Sequence, residues 1–153
     1  MSVGHPNTLR RPSIEQRERG WYQLLFQFTG VAEGLIQRDG WELFREMLGN
    51  AVDRDRYITD LSRRGALSAA LNWYRANATP EQELQRTGQF PAVAVPTMGL
   101  WSSCDNFLTE DGMIRSAEHV TCGWRYERVE GAGHWLQLDA PDRVNELLLE
   151  FLA

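Results

Sequence analysis

At 153 residues, 42% hydrophobic and 24% charged, the chain fits one domain able to bury a core of its own. A formal net charge of −5 excludes a general role on nucleic acid or acidic membranes, since both select basic surfaces. Cys104 and Cys122 lack CxxC or His-paired spacing, which excludes a zinc site or disulfide framework and fits a reducing cytoplasm. No apolar run approaches the ~20 residues of a membrane helix, and the N-terminus has no signal-peptide core. No metal or cofactor is implied. Six Trp, six Phe and four Tyr predict an aromatic-rich interior able to form a concave apolar site.

Residues 1–12, MSVGHPNTLRRP, read as a strand end running into a loop, because Gly4, Pro6, Asn7 and Pro12 are breakers. Arg10, Arg11, Arg17 and Arg19 read as a solvated basic face. Residues 13–88 are helical in pattern, opening at Ser13 with Gln16 three residues on, as in a capping box. Tyr22, Leu25, Phe26 and Thr29 fall at i, i+3, i+4 and i+7, and Leu67, Ala70, Leu71 and Tyr74 repeat the spacing, so both tyrosines face inward. Gly30, Gly40 and Gly49 are expected breaks around WELFREML, and ATPEQELQRTGQ is a polar linker.

Residues 89–153 alternate strand, helix, strand and helix, the rhythm of a parallel sheet. AVPTMGLWS reads as a buried strand leading to Cys104 and Asp105, DGMIRSAEHV as a short helix, and WRYERVE as a strand alternating at period two. APDRVNELLLEFLA closes the sequence as a helix with Pro141 in its first turn and Val144, Leu147, Leu148 and Phe151 on one face. Asp105 and His134 then follow the carboxyl ends of adjacent parallel strands, 29 residues apart, as a strand–helix–strand unit of roughly 30 residues requires. Ligands of open α/β sheets bind outside those ends. A carboxylate there can fix the imidazole tautomer and stabilise the imidazolium formed in base catalysis. Alternatively, Asp105 caps the next helix or closes a turn, and His134 is a hydrogen-bonded loop residue. His5 is read as solvent-facing or at a site entrance, and His119 as a helix-end residue outside any site.

GAGHWLQLDAPDRVNELLLEFL, with the upstream strand ending in an aspartate, resembles the C-terminal part of the α/β-hydrolase fold. That resemblance implies a partial α/β-hydrolase fold: a helical cap followed by the last parallel strands and helices. It makes Asp105 and His134 the acid and base of a triad whose order is nucleophile, acid, histidine. No window holds a GxSxG elbow or its aspartate equivalent, nor an HGGG or HGxP loop, so the chain is expected to be a truncated or split form. WYQLLFQFTGVAEG and ALNWYRAN resemble the cap segments of epoxide hydrolases, where a tyrosine from each donates to the epoxide oxygen; the matching residues are Tyr22 and Tyr74. Such phenols would stabilise the oxygen as charge develops. The residues alone allow both tyrosines to be core instead.

Trp73, Trp135 and Phe26 are candidate substrate-lining residues, with packing as the other role for the tryptophans. The resemblance implies a small apolar substrate such as an epoxide. Dehalogenase or esterase chemistry and a non-catalytic binding module are the alternatives. An N-terminal half, or self-association, is the expected macromolecular partner.

Overall fold

A computed structural model describes residues 3–49, 53–85 and 87–153. In chain order, a 3-10 turn Pro6–Leu9 precedes α1 (Ile14–Arg19), α2 (Trp21–Phe26), α3 (Val31–Leu48), α4 (Arg54–Leu61), α5 (Ala66–Asn77) and α6 (Pro80–Gln85). Then come β1 (Thr97–Ser102), α7 (Glu110–Ile114), a 3-10 turn Arg115–His119, β2 (Trp124–Val129), α8 (Leu136–Asp139) and α9 (Pro141–Leu152). Rather than one domain, the chain forms two compact units, Met1–Gly20 with Gly88–Ala153, and Trp21–Thr87. Each has an apolar cluster of its own, drawn entirely from its own residues.

In the first unit β1 and β2 pair in parallel, in register from Thr97 with Trp124 to Ser102 with Val129. Met98 and Leu100, two apart on β1, share one face and pack with Val129, Ala132, Leu136, Val144 and Leu147. On the other face Gly99 has no substitute: an added Cβ would lie 2.3 Å from the Trp124 ring and 2.7 Å from the Met113 sulfur. Pro141 sits at the start of α9, where its missing N–H is an orphan in any case. Val144 and Leu147 are buried on that helix and Phe151 packs beside them, but Leu148 is 40% exposed, so the apolar stripe is narrower than its spacing suggested.

β2 does not alternate as expected; most of its residues are half-buried on both faces. The cause is a set of polar partners on each side. Arg125 reaches Glu127 and Glu150, while Tyr126 and Arg128 reach Glu110. The expected N-terminal strand end is also absent where it can be seen: residues 1 and 2 lie outside the described residues, and Val3 to His5 are irregular. Gly4 packs so closely that an added Cβ would lie 2.7 Å from the Gly112 carbonyl oxygen.

The second unit is helical. Phe26, Ala32, Ile36, Leu67 and Leu71 form its buried centre, with Tyr22, Tyr74, Leu43, Phe44 and Met47 packed around them. Thr29 and Ala70 are exposed rather than inward-facing: α2 ends at Phe26, so its spacing stops before Thr29, and Ala70 falls outside the buried stripe of α5. The aromatic-rich interior forms only in part: Phe26 and Trp101 are buried and most other rings half-buried, but Trp21, Phe28, Trp73 and Phe90 are 47%, 55%, 62% and 45% exposed. The expected polar linker contains α6. Thr79 Oγ1 accepts from the Gln82 amide while Gln82 Oε1 accepts from the Thr79 amide, a reciprocal cap that starts a short helix.

Gly30 and Gly49 bound α3 with φ of 79° and 56°. Its interior breaks where Gly40 was expected to break it, but over four residues, Arg38 to Trp41. Asp39 and Trp41 hold left-handed φ of 51° and 67°, conformations that usually cost a residue with a Cβ roughly 1–2 kcal/mol.

Candidate active site

The loops after β1 and β2 are laced together before either catalytic candidate is placed. Ser103 N–H donates to the Val129 carbonyl and Cys104 N–H to that of Ala132, both at 3.1 Å. Ser102 Oγ donates to the Gly133 carbonyl at 2.6 Å, and Gly131 N–H donates to Ser103 Oγ at 2.8 Å. Gly131 supplies a φ of 76°, and Gly133 donates its N–H to Asp139 at 3.0 Å, where an added Cβ would collide with that carboxylate. Thus the glycines of GAGH serve a turn and a close approach.

This lacing brings His134 Nδ1 to 2.9 Å from Asp105 Oδ2. The other carboxylate oxygen accepts the N–H groups of Phe107 at 2.7 Å and Leu108 at 2.9 Å. Both readings of Asp105 therefore hold at once: it closes a turn with one oxygen and faces the histidine with the other. Burial pushes the Asp105 carboxyl up, but the His134 contact and the two amides outweigh it and hold it below the usual range. An ionised carboxylate only accepts, so Nδ1 carries the proton and Nε2 is left free to exchange one. Asp105 is 5% exposed, while the His134 side chain is 24% exposed, open enough to meet a substrate.

Phe107 and Trp135 meet the His134 ring edge-on, with centroids 5.0 and 5.3 Å away. Phe107 carried no sequence signal; it is a loop residue placed by the turn that Asp105 organises. Two further residues escaped the sequence reading. Gln16 leaves the expected capping box half-made: Ser13 Oγ caps its amide, but its own side chain turns to the 105–109 loop. Arg19, expected on a solvated face, donates to the carbonyls of Asp105 and Leu108.

In the second unit the two candidate tyrosines meet. Tyr22 and Tyr74 have ring centroids 5.8 Å apart at 87°, and Phe26 stands edge-on to both at 5.4 and 5.0 Å. Burial, with Tyr22 acting in the same direction, pushes the Tyr74 phenol up to about 12, so it stays a donor at any physiological pH. Phe26 is 7% exposed within the buried cluster, and Trp73 lies against Tyr74 but is 62% exposed.

His5 is corrected by the structure: it is 3% exposed rather than solvent-facing. Its Nδ1 accepts the Asn7 amide, so Nε2 donates to the Pro91 carbonyl at 3.1 Å, and its ring stacks on His119 at 4.6 Å. Among the described residues no group of three or more His, Cys, Asp or Glu is arranged to hold a metal ion, and no helix is long and apolar enough to cross a membrane.

No protein-family model matches the sequence. The chain is 29% identical to epoxide hydrolase 3 of Xenopus tropicalis over 168 aligned positions, covering 99% of this chain and 43% of that protein. It is 28% identical to epoxide hydrolase A of Mycobacterium tuberculosis over 171 positions, covering 88% and 52%. An epoxide hydrolase structure from Bacillus megaterium superposes with a TM-score of 0.75 at 21% identity, covering 97% of this chain and 57% of that one. The chain carries part of an α/β-hydrolase fold and resembles the epoxide hydrolases. It spans about half the length of the curated relatives it matches. Within this α/β-hydrolase fold, the Asp105–His134 contact lies outside the carboxyl ends of the parallel strands, where such sheets bind ligands.

Proposed function

We propose that the chain supplies the acid, the base and two phenol donors of an epoxide-hydrolase-like site. The observation that carries this reading is the 2.9 Å contact between a buried, ionised Asp105 and the part-exposed His134. Tyr22 and Tyr74 enter it through the resemblance of their segments to epoxide hydrolase caps. In the proposed reaction a carboxylate attacks an epoxide carbon, forming an ester as the carbon–oxygen bond opens, and a tyrosine phenol gives its proton to the departing oxygen. His134 Nε2 then takes a proton from the water that attacks the ester carbonyl; the imidazolium passes it to the departing alkoxide, the diol leaves, and the freed carboxyl returns its proton to the tyrosinate, restoring carboxylate and phenol. Asp105 stabilises the imidazolium in between.

The attacking carboxylate belongs to no GxSxG-like or GxDxG-like window of these 153 residues, so we assign it to a second segment and expect this chain to be inactive alone. A small apolar epoxide is the substrate class, and the N-terminal half, or a second copy, is the partner. The unpaired cysteines suit a reducing compartment, and the cytoplasm is the setting we assign. Residues 13–88 are assigned the role of cap, and 89–153 that of the last part of the hydrolase core.

The test is epoxide turnover by the 153-residue chain and by the chain joined to a segment carrying an HGxP loop and a GxDxG-like elbow. No diol from the first, and diol from the second that disappears with His134→Ala, is the expected pair of results. Undiminished turnover in the joined protein after both His134→Ala and Asp105→Asn would rule the assignment out. Serine in place of aspartate in the elbow would turn the chemistry to esters.

A further inference from the structure

We propose that Gln16 and Arg19 on α1 are positioning residues for the reaction centre, fixing the 105–109 turn that aims Asp105 at His134. The inference rests on the acid–base reading of that pair given above. Its physical basis is where the polar groups of the turn go. Asp105 Oδ1 takes up the amides of Phe107 and Leu108, which leaves the carbonyls of the same turn in need of donors. Trp101 Nε1 on β1 supplies one of them, to the Leu108 carbonyl at 3.1 Å, and α1 supplies others. One nitrogen of Arg19, Nη1, donates to the Asp105 carbonyl at 2.5 Å and to the Leu108 carbonyl at 2.9 Å, bracketing the turn. Glu15 holds the second terminal nitrogen at 2.8 Å, which fixes the plane of the guanidinium.

Gln16 completes the frame. Its Nε2 donates to the Phe107 carbonyl at 2.8 Å, while its Oε1 accepts from Thr109 N–H at 2.9 Å and Oγ1 at 3.2 Å. Gln16, Asp105 and Thr109 are 8%, 5% and 7% exposed, so water does not readily replace these contacts. The carboxylate that orients the base therefore inherits its direction from a helix some 90 residues earlier in sequence, Arg19 and Asp105 being 86 residues apart. Loss of Arg19 releases the Asp105 carbonyl and loss of Gln16 that of Phe107, either of which would draw water into the turn, and Oδ2 would leave the imidazole before the fold itself is lost.

Nitrogen-15 NMR of the labelled histidines in the 153-residue chain distinguishes positioning from mere support, because it reads which nitrogen of neutral His134 holds the proton. The wild-type ring is expected to be protonated at Nδ1. Arg19→Met and Gln16→Ala should each lower that fraction about two-fold or more while far-UV dichroism is kept. Arg19→Lys, which retains charge but cannot bracket two carbonyls in the same way, should fall between. Gln16→Asn, which keeps a neutral amide but withdraws it from the turn by one methylene, provides a second variant should the others fail to fold. Leu147→Ala lowers stability without touching the turn and should leave the fraction unchanged. Folded Gln16 and Arg19 variants with the wild-type proton position would overturn the proposal. A wild-type ring protonated at Nε2 would instead overturn the acid–base reading beneath it.

Discussion

Asp105 divides its carboxylate between His134, held at 2.9 Å by Oδ2, and the turn amides of Phe107 and Leu108, held by Oδ1. Orientation of the imidazole and loop closure are therefore one event in this structure, and a change to either oxygen is felt by both.

That coupling sets an acid limit. The Asp105 carboxyl is depressed in the folded chain, so its contribution to stability is complete above the unfolded value of about 3.9 and is lost as pH falls through the folded one. Asp105→Asn should destabilise the chain by about 1–3 kcal/mol at pH 7 and show a smaller further loss on acidification than wild type. Urea denaturation followed at neutral and acidic pH measures both; an unchanged acid dependence would contradict the assignment.

Glu33 gives the helical unit its own acid sensitivity. Arg75 grips both of its oxygens at 2.9 and 3.0 Å and also donates to the Phe26 carbonyl, while Gly30 N–H caps α3 through the same carboxylate. The Arg75 contact, resisted by burial and aided by the Gly30 amide, brings Glu33 down to about 2 from 4.5. The stabilisation it brings is present above the unfolded carboxylate value and withdrawn as pH approaches 2. Thermal melts of Glu33→Gln should start lower than wild type at pH 7 and converge with it in acid. Parallel pH curves would refute this.

Tyr74 should titrate late. With its phenol pushed up to about 12, and that of Tyr126 raised as well by burial and the Glu110 carboxylate, ultraviolet titration is expected to show two of the four tyrosines ionising late. Tyr22→Phe removes a neighbour that raises it, so the Tyr74 midpoint should fall, yet stay above the ordinary value of about 10 because burial, the larger cause, remains. A midpoint that rises or stays put in Tyr22→Phe would show that the two phenols do not interact.

Adjacent leucines on α9 offer a direct check of its buried face. Leu147 is fully buried and Leu148 is 40% exposed. Leu147→Ala should cost about 2–5 kcal/mol and Leu148→Ala no more than about 0.5, both read from denaturant midpoints. Comparable losses would mean that α9 presents a different face.

Much of this was legible in sequence because it is local. Strand, crossover and strand were readable from apolar runs and breakers, and their order alone placed Asp105 beside His134. Gly30, Gly40 and Gly49 marked real departures from helix because only the chain's own conformation was at issue. The family resemblance was equally visible, carried by GAGHWLQLDAP and the two cap segments.

What sequence could not weigh was competition among distant partners. The SIEQ signature announces a capping box, but Gln16 has better partners in a loop some 90 residues on, and Arg19 is recruited there as well. Periodicity counted Leu148, Thr29 and Ala70 as inward because it assigns a face without knowing how much of that face is covered. His5 gave no sign of burial, since a loop histidine is buried only when carbonyls and amides such as those of Pro91 and Asn7 are brought to its two nitrogens. The sequence by itself determined the order of elements and the residue types at the candidate site. Tertiary structure alone decided which hydrogen-bond partners won, because buried polar groups must be satisfied from wherever the fold brings a donor or acceptor.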